Sequence, residues 1–261
     1  MNFMEKEYCL VTGASSGLGL EFCKILAEKN KNIVMIARNP EQLKKASEYI
    51  KTNYEIKVIS ISADLSNSSN VIKIYEQLKK ENIFVSVLIN NAGIGTFGNL
   101  FETDWKEESC IIDLNAKSLV LFCKLFGKEM KEKNQGKILN VASMASFLPD
   151  KKMAVYNASK SFVLSFTYSL FAELNGSNVT VTALCPGPVN TNFISRAKIN
   201  GAKVFNKDNL ADSAKIAQLG IDAMENGKLV EIPGIRNWLI IKIQKILPIK
   251  LVNKIYSKIN Y

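Results

Sequence analysis

Strand-like apolar runs and helical patterns alternate along this chain almost from its start, and that alternation constrains the fold more than any single motif. Seven runs rich in aliphatic and β-branched residues read as strands, at 8–12, 33–37, 56–61, 85–90, 137–142, 179–185 and 229–232. Helical periodicity fills the gaps at 18–29, 40–52, 68–81, a long stretch near 106–133, 154–175 and 211–225. Parallel neighbours need long crossover connections, and each gap here is long enough for one. The pattern predicts one doubly wound sheet of about seven parallel strands with helices on both faces. Ligands in such sheets collect beyond the carboxyl ends of the strands. With 261 residues and no visible linker, the chain reads as a single domain.

Directly after the first strand comes Thr12-Gly13-Ala14-Ser15-Ser16-Gly17-Leu18-Gly19, which then opens a helix. Gly13, Gly17 and Gly19 permit a tight turn and let backbone approach a pyrophosphate, while the helix N-terminus adds free N–H groups and a favourable dipole. The spacing Gly-x-x-x-Gly-x-Gly differs from the more common Gly-x-Gly-x-x-Gly, and a purely structural turn is the alternative. Arg38 closes the second strand, where an acidic side chain would hold the ribose of NAD. A guanidinium there offers a planar fork to a 2′-phosphate, which favours NADP(H); the alternative is an ordinary surface arginine.

Tyr156 and Lys160 stand four apart in Tyr156-Asn157-Ala158-Ser159-Lys160, and Ser143 lies thirteen positions upstream. On a helix this spacing stacks phenol and ammonium on one face, so the cation lowers the cost of a phenolate. Bringing a phenol of pKa about 10 into working range near pH 7 takes about 4 kcal/mol of differential stabilisation. An exposed ion pair does not supply that, whereas a desolvated lysine beside a cationic cofactor ring does. The chain contains no histidine, which removes Ser-His-Asp triads, Cys-His dyads and histidine-ligated metal sites. Its five cysteines, at 9, 23, 110, 123 and 185, include no Cys-x-x-Cys pair, and four of them fall in apolar strand or helix patterns as small buried side chains. No metal is expected.

A polar start without the apolar stretch of a signal peptide, together with an odd cysteine count, predicts a cytoplasmic protein. The net charge of +10 raises the question of an anionic partner. A nucleic-acid partner is not expected, because the charges are dispersed and there is no stacking platform or reader motif.

The ordered set Thr12 to Gly19, Asn90-Asn91-Ala92-Gly93, Asn115, Ser143, Tyr156-x-x-x-Lys160 and Pro186-Gly187 resembles the short-chain dehydrogenase/reductase family. The resemblance implies a Rossmann-like domain in three parts: a dinucleotide-binding half at 1–140, a catalytic half at 141–234, and a basic C-terminal helical extension at 235–261. It also implies a nicotinamide cofactor, hydride transfer between a carbonyl and an alcohol, and a homodimer or homotetramer packed through the two long helices. Tyr156 would then exchange a proton with the substrate oxygen and Ser143 would donate a hydrogen bond to it. Lys160 would hold the nicotinamide ribose and lower the tyrosine pKa, and Asn115 would anchor a water linking Lys160 to solvent. Ser15, Ser16 and Leu18 would join the glycines around the cofactor. Asp64 and Leu65 would meet the adenine, with turn capping the competing role for Asp64. Asn90 and Gly93 would flank the adenine side and brace the sheet, Pro186, Gly187 and Thr191 would meet the nicotinamide, and Asn91, Ala92 and Val189 would also contact the cofactor. The family's variable segment would run from 192 to about 209.

On the substrate side, Ile94, Thr96, Phe97, Met144, Phe147, Leu148, Val155, Phe193 and Ile194 are apolar or nearly so, with no lysine or arginine among them for a phosphate. They point to a small lipophilic ketone or alcohol, such as a fatty-acyl ketone, a steroid or bile acid, or a bulky xenobiotic carbonyl; core packing is the alternative for several. A 3-oxoacyl-thioester reductase and a redox-inactive NADP-binding protein at a membrane surface are the competing functions. The tail from Arg236 to Tyr261 alternates isoleucine, leucine and tryptophan with six cations, including Lys245, Lys254 and Lys258, and is broken by Pro248. It reads as two short amphipathic helices that either cover the pocket or a subunit face, or lie on an anionic membrane. No run reaches the roughly 18 apolar residues of a spanning helix.

Overall fold

One wholly parallel sheet carries the fold, in the order β3-β2-β1-β4-β5-β6-β7. Its strands are β1 (Lys6–Thr12), β2 (Ile33–Ala37), β3 (Val58–Ser62), β4 (Ile83–Asn90), β5 (Gly136–Val141), β6 (Val179–Leu184) and β7 (Val230–Glu231). The computed structural model describes residues 6–147, 151–199, 205–206, 210–244 and 246–252. Sequence neighbours β3, β2 and β1 run one way across the sheet and β4 to β7 the other. The order therefore reverses between β1 and β4, where a crevice opens beyond their carboxyl ends.

Two layers of helices cover this sheet, so its strands are apolar on both faces and alternate residues serve opposite cores. Cys9, Val11, Ile33 and Met35 face α1 (Gly17–Glu28), α2 (Pro40–Asn53) and α8 (Ser213–Glu225). Leu10, Val34, Ile36 and Leu88 face α3 (Ser68–Lys80), α5 (Leu119–Glu132) and α6 (Ala154–Glu173). Among the described residues, two further helices precede the tail, α4 (Trp105–Ile112) and the single turn α7 (Phe193–Arg196). Helix starts follow local capping. Asn39, Asn67 and Asp104 each accept a first-turn N–H at α2, α3 and α4, and Asp212 accepts from Ala214 and Lys215, starting α8 two residues later than its periodicity suggests.

The long helix expected near 106–133 is not one α-helix. A π-helical segment, Asp113–Ser118, separates α4 from α5, and side chains on either side of the wider turn project differently from those of a regular helix. After β7 the chain forms α9 (Ile235–Gln244), and helical geometry resumes at 249–252 beyond Pro248. The tail lysines Lys245, Lys254 and Lys258 lie outside the described residues, as does Leu148.

A buried polar chain ties the site-bearing elements to the sheet. Asn90 Nδ2 on β4 donates to Asn140 Oδ1 on β5 at 2.9 Å and to Cys123 Sγ on α5 at 3.2 Å. Asn140 Nδ2 donates to Thr167 Oγ1 on α6 at 3.0 Å. Asn90 is thus a brace inside the core and does not flank a ligand surface. All five cysteines are free thiols, four of them buried as expected. The α5 face of the core is built on Phe126, which stacks on Phe122 and meets Tyr75 edge-on with centroids 5.1 Å apart. Phe126→Ala is expected to lower unfolding free energy by about 3–5 kcal/mol, read from urea titrations, because the rings around it cannot close the void.

Candidate active site

At the carboxyl end of β1, the loop after Thr12 takes its shape from glycine. Gly13 and Gly17 have φ of +68° and +54°, a left-handed geometry that side chains resist. At Gly19 a Cβ would collide with the Gly13 carbonyl oxygen, so helix α1 can pass under the loop only with a hydrogen there. Ser16 stands at the N-cap of α1 without making a side-chain cap, which leaves the first-turn N–H groups open to an anion. The loop is stitched to the β4 end. Asn91 Nδ2 donates to the Thr12 carbonyl at 2.9 Å, and Thr12 Oγ1 accepts from the backbone N–H of Asn91 at 3.0 Å and of Ala92 at 2.9 Å. A backbone cradle that Cβ atoms would fill, at a helix N-terminus and at the topological switch, fits a dinucleotide pyrophosphate.

Beyond this cradle opens a cavity of about 710 Å³. Gly13, Ser16, Gly17 and Leu18 line it from the first loop, Asn91, Ala92, Gly93 and Ile94 from the β4 end, and Ser143 and Met144 from the β5 end. Tyr156 and Lys160 enter from α6, and Pro186, Gly187, Val189, Thr191, Phe193 and Ile194 follow β6. Most of the expected site residues therefore converge on one space. Ser15 and Gly19 belong to the loop without lining the cavity.

Lys160 is buried, and its Nζ donates to the Val141 carbonyl at 2.8 Å. Burial without a carboxylate neighbour pulls its pKa down to about 8. Tyr156 sits one helical turn earlier, its ring centroid 5.9 Å from Lys160 Nζ and 5.2 Å from the Phe193 ring. Burial pushes the phenol up to about 12, with a hydrogen bond to the Ser143 hydroxyl acting in the opposite sense. The helical pair alone thus does not make the phenol acidic; the expected acidification called for a cationic cofactor ring beside the lysine as well. Desolvation by burial is the larger influence on the phenol and the Ser143 hydrogen bond the smaller.

Ser143 is held from several sides. Its Oγ accepts from Ala145 N at 3.1 Å, and Met144 N donates to the Pro186 carbonyl at 2.9 Å. Ser146 Oγ donates to the Lys160 carbonyl at 2.8 Å, and Ser161 Oγ donates to the Ser146 carbonyl at 2.9 Å, joining this turn to α6. Asn115 stands one layer behind the cavity on the π-helical segment. It accepts from Ile94 N at 3.0 Å and donates to the Ile94 carbonyl at 2.9 Å and to Ser159 Oγ at 3.0 Å. A Cβ on Gly93 would lie 3.3 Å from both Asn115 Oδ1 and Lys160 Nζ, so glycine at 93 lets the two polar heads approach.

Several expected residues stand elsewhere. Arg38 is exposed at the end of β2 and Asp64 is exposed after β3, where its Oδ1 accepts from Ser66 N at 3.0 Å and Ser66 Oγ at 2.8 Å as a turn cap. Leu65 is buried in the α3 side of the core. Phe147, expected against substrate, packs on the main core, and its carbonyl accepts from Gln244 on α9. Thr96 and Val155 do not line the cavity, and Phe97 joins Tyr156, Phe193 and Met153 in a small apolar cluster.

The tail roofs the cavity, one of the readings its amphipathic pattern left open, through residues the sequence did not single out. Arg236, Asn237, Ile240, Ile243, Gln244 and Leu247 line the cavity from α9 and the turn after it, at spacings that make one helical stripe. The expectation of a substrate side free of arginine is corrected. Arg196 on α7 lines the cavity and reaches Ser16 Oγ at 3.4 Å, and Arg236 lines it from α9, while among the described residues no Asp or Glu does.

A family model described as short chain dehydrogenase matches residues 7–200. A 7beta-hydroxysteroid dehydrogenase of Mediterraneibacter gnavus is 31% identical over 192 residues, covering 72% of this chain and 71% of that protein. Among solved structures, a short-chain dehydrogenase from Sphingobium yanoikuyae in complex with NADPH superposes with a TM-score of 0.82 at 24% identity, covering 92% of this chain and 93% of that one. A short-chain dehydrogenase/reductase from Burkholderia phymatum in complex with NAD gives 0.83 at 23% identity, covering 93% and 94%. Both structural likenesses establish the fold.

The depressed pKa of Lys160 generates a stability prediction. Below pH 8 the folded protein carries a buried ammonium, and the cost is relieved as pH rises from about 8 to the ordinary lysine value of 10.5, where the unfolded chain still binds that proton. Lys160→Met is expected to raise the melting temperature at pH 7, by up to about 3 kcal/mol of stability. The advantage over the parent should shrink between pH 8 and 10.5; a constant difference across calorimetric scans in that range would refute the buried-ammonium assignment.

Proposed function

This chain belongs to the short-chain dehydrogenase family, and from that premise we propose that it is an NADP(H)-dependent oxidoreductase interconverting a ketone and a secondary alcohol on a lipophilic substrate. The observation that carries the reading is the convergence of Tyr156, Ser143 and Lys160 on a 710 Å³ cavity that runs from a phosphate cradle to apolar walls. When bound, the nicotinamide supplies the hydride acceptor or donor.

The chain's own residues do the rest. Ser143, its hydroxyl oriented by the Ala145 N–H, donates to the substrate oxygen and positions it beside the Tyr156 hydroxyl. Burial keeps that phenol protonated at neutral pH, so it can donate the proton when a carbonyl is reduced. In the oxidising direction it must first lose this proton, and the Lys160 ammonium favours that loss electrostatically. Lys160 also has donors to spare for the cofactor ribose, since Val141 takes only one. Asn115 ties the Ile94 backbone to Ser159 on α6, one residue before Lys160, without touching substrate.

Cofactor choice rests on Arg38, whose exposed guanidinium at the β2 end forms no ion pair with a carboxylate among the described residues and can take a 2′-phosphate. The substrate class rests on the apolar lining from Met144, Met153, Phe193, Ile194, Phe205 and Ile240, which suits a bulky ring ketone such as a steroid better than a sugar. The 31% identical hydroxysteroid dehydrogenase supports the same class. Helices α4 and α6 pack together and expose Trp105, Ile112, Phe162 and Phe171, an apolar face suited to a second copy in a homodimer or homotetramer. Free cysteines throughout fit a cytoplasmic enzyme.

NADPH oxidation against a panel of bulky ketones tests the reading. Tyr156→Phe is expected to lower kcat by at least about 10²-fold with unchanged NADPH affinity, and equal rates in parent and variant would remove the phenol from the chemistry. Arg38→Glu is expected to raise the NADPH dissociation constant by about tenfold or more, measured by cofactor fluorescence, while sparing NADH.

A further inference from the structure

Helix α9 carries large apolar side chains on two faces, and the cavity accounts for only one of them. Opposite the stripe that roofs the cavity, Ile235, Trp238, Leu239 and Ile246 stand 74%, 42%, 46% and 85% exposed, with Ile249 and Leu251 continuing the patch past Pro248. Among them, Lys242 places its ammonium 5.3 Å from the Trp238 ring, and Lys250 is exposed in the following turn. After Glu231 the chain contains six cations and no acidic residue to its end. We infer that this outer face of α9 and the turn after it docks on an anionic lipid surface.

Charge decides the occupant. Two identical copies meeting through this patch would set lysine against lysine, with no carboxylate in the segment to compensate. A bilayer interface accepts both components at once: aliphatic and indole side chains enter the acyl boundary, and lysines reach back to the headgroups. The two open readings of the tail, pocket cover and membrane contact, are therefore compatible, each using a different face of one helix. The docked face is also the back of the cavity roof, so a lipophilic substrate of the proposed reaction would have a short path from the membrane. That last consequence rests on the proposed function; the docking itself does not.

Partitioning can be measured without turnover. The full-length protein carrying Trp105→Phe leaves Trp238 as its only tryptophan. With phosphatidylglycerol vesicles at low ionic strength, it is expected to co-sediment and to shift its emission to the blue. Each lysine near an anionic leaflet raises partitioning about fivefold, so Lys242 and Lys250 predict binding at least about 25-fold weaker to phosphatidylcholine. Ile235→Glu combined with Ile246→Glu should abolish co-sedimentation while leaving NADPH oxidation in vesicle-free solution unchanged. Failure to bind phosphatidylglycerol, or equal binding to both lipids, overturns the inference. So does a blue shift that grows with protein concentration in the absence of vesicles, which would assign the patch to a second copy.

Discussion

A buried ammonium without a carboxylate is the interaction on which the site depends. Lys160 reaches the interior between β5 and α6, where a single backbone carbonyl, that of Val141, accepts from it. Taking a cation out of water is costly, and one neutral acceptor does not offset the loss. The strain appears as a pKa near 8, well below that of a surface lysine. Stability alone would not place a lysine here. What holds it is the rest of the fold: α6 is anchored through Thr167 to Asn140 and onward to Asn90, and the turn after β5 is bonded to α6 through Ser146 and Ser161. The same scaffold that forces burial on Lys160 also fixes Tyr156 one turn away.

Close backbone approach is the second constraint. The phosphate cradle works only if α1 passes directly beneath the loop after β1, and glycine at 19 is what permits it. Glycine at 93 plays a comparable part between Asn115 and Lys160, and the π-helical segment presents Asn115 to the Ile94 backbone from a position that a regular α-helix would rotate away. Both are departures from regular geometry placed where polar groups must meet. Behind the crevice, mostly apolar strands braced by the Asn90 to Asn140 hydrogen bond supply rigidity.

Much of this was legible beforehand. The strand and helix order follows from period-2 and period-3.6 apolar patterns, and all seven strands lie within two residues of their expected limits because β-branched runs and glycine or asparagine turns bound them sharply. Residues tied to strand ends, such as Gly13, Asn91, Ser143 and Thr191, were legible for the same reason: topology brings strand ends together. Phe147 and Val155 were not, because their side-chain directions depend on a short turn and a helix phase that no local pattern specifies. Asp64 illustrates a residue with two plausible roles, of which the structure displays the cap.

The amino-acid order by itself determined the parallel sheet, the phosphate loop, the Tyr156 and Lys160 spacing, and the exclusion of histidine chemistry, since each is encoded in contiguous or periodic residues. Tertiary structure alone decided what the spacing does. It set burial against the Ser143 hydrogen bond at Tyr156, brought Arg196 and Arg236 to the cavity, and laid α9 across the opening with a mixed stripe of Arg236, Asn237, Ile240, Ile243 and Gln244 inward. Those outcomes depend on desolvation and on contacts between segments far apart in the chain, such as Ser16 with Arg196 and Gly187 with Asn237, and no local sequence pattern carries that information.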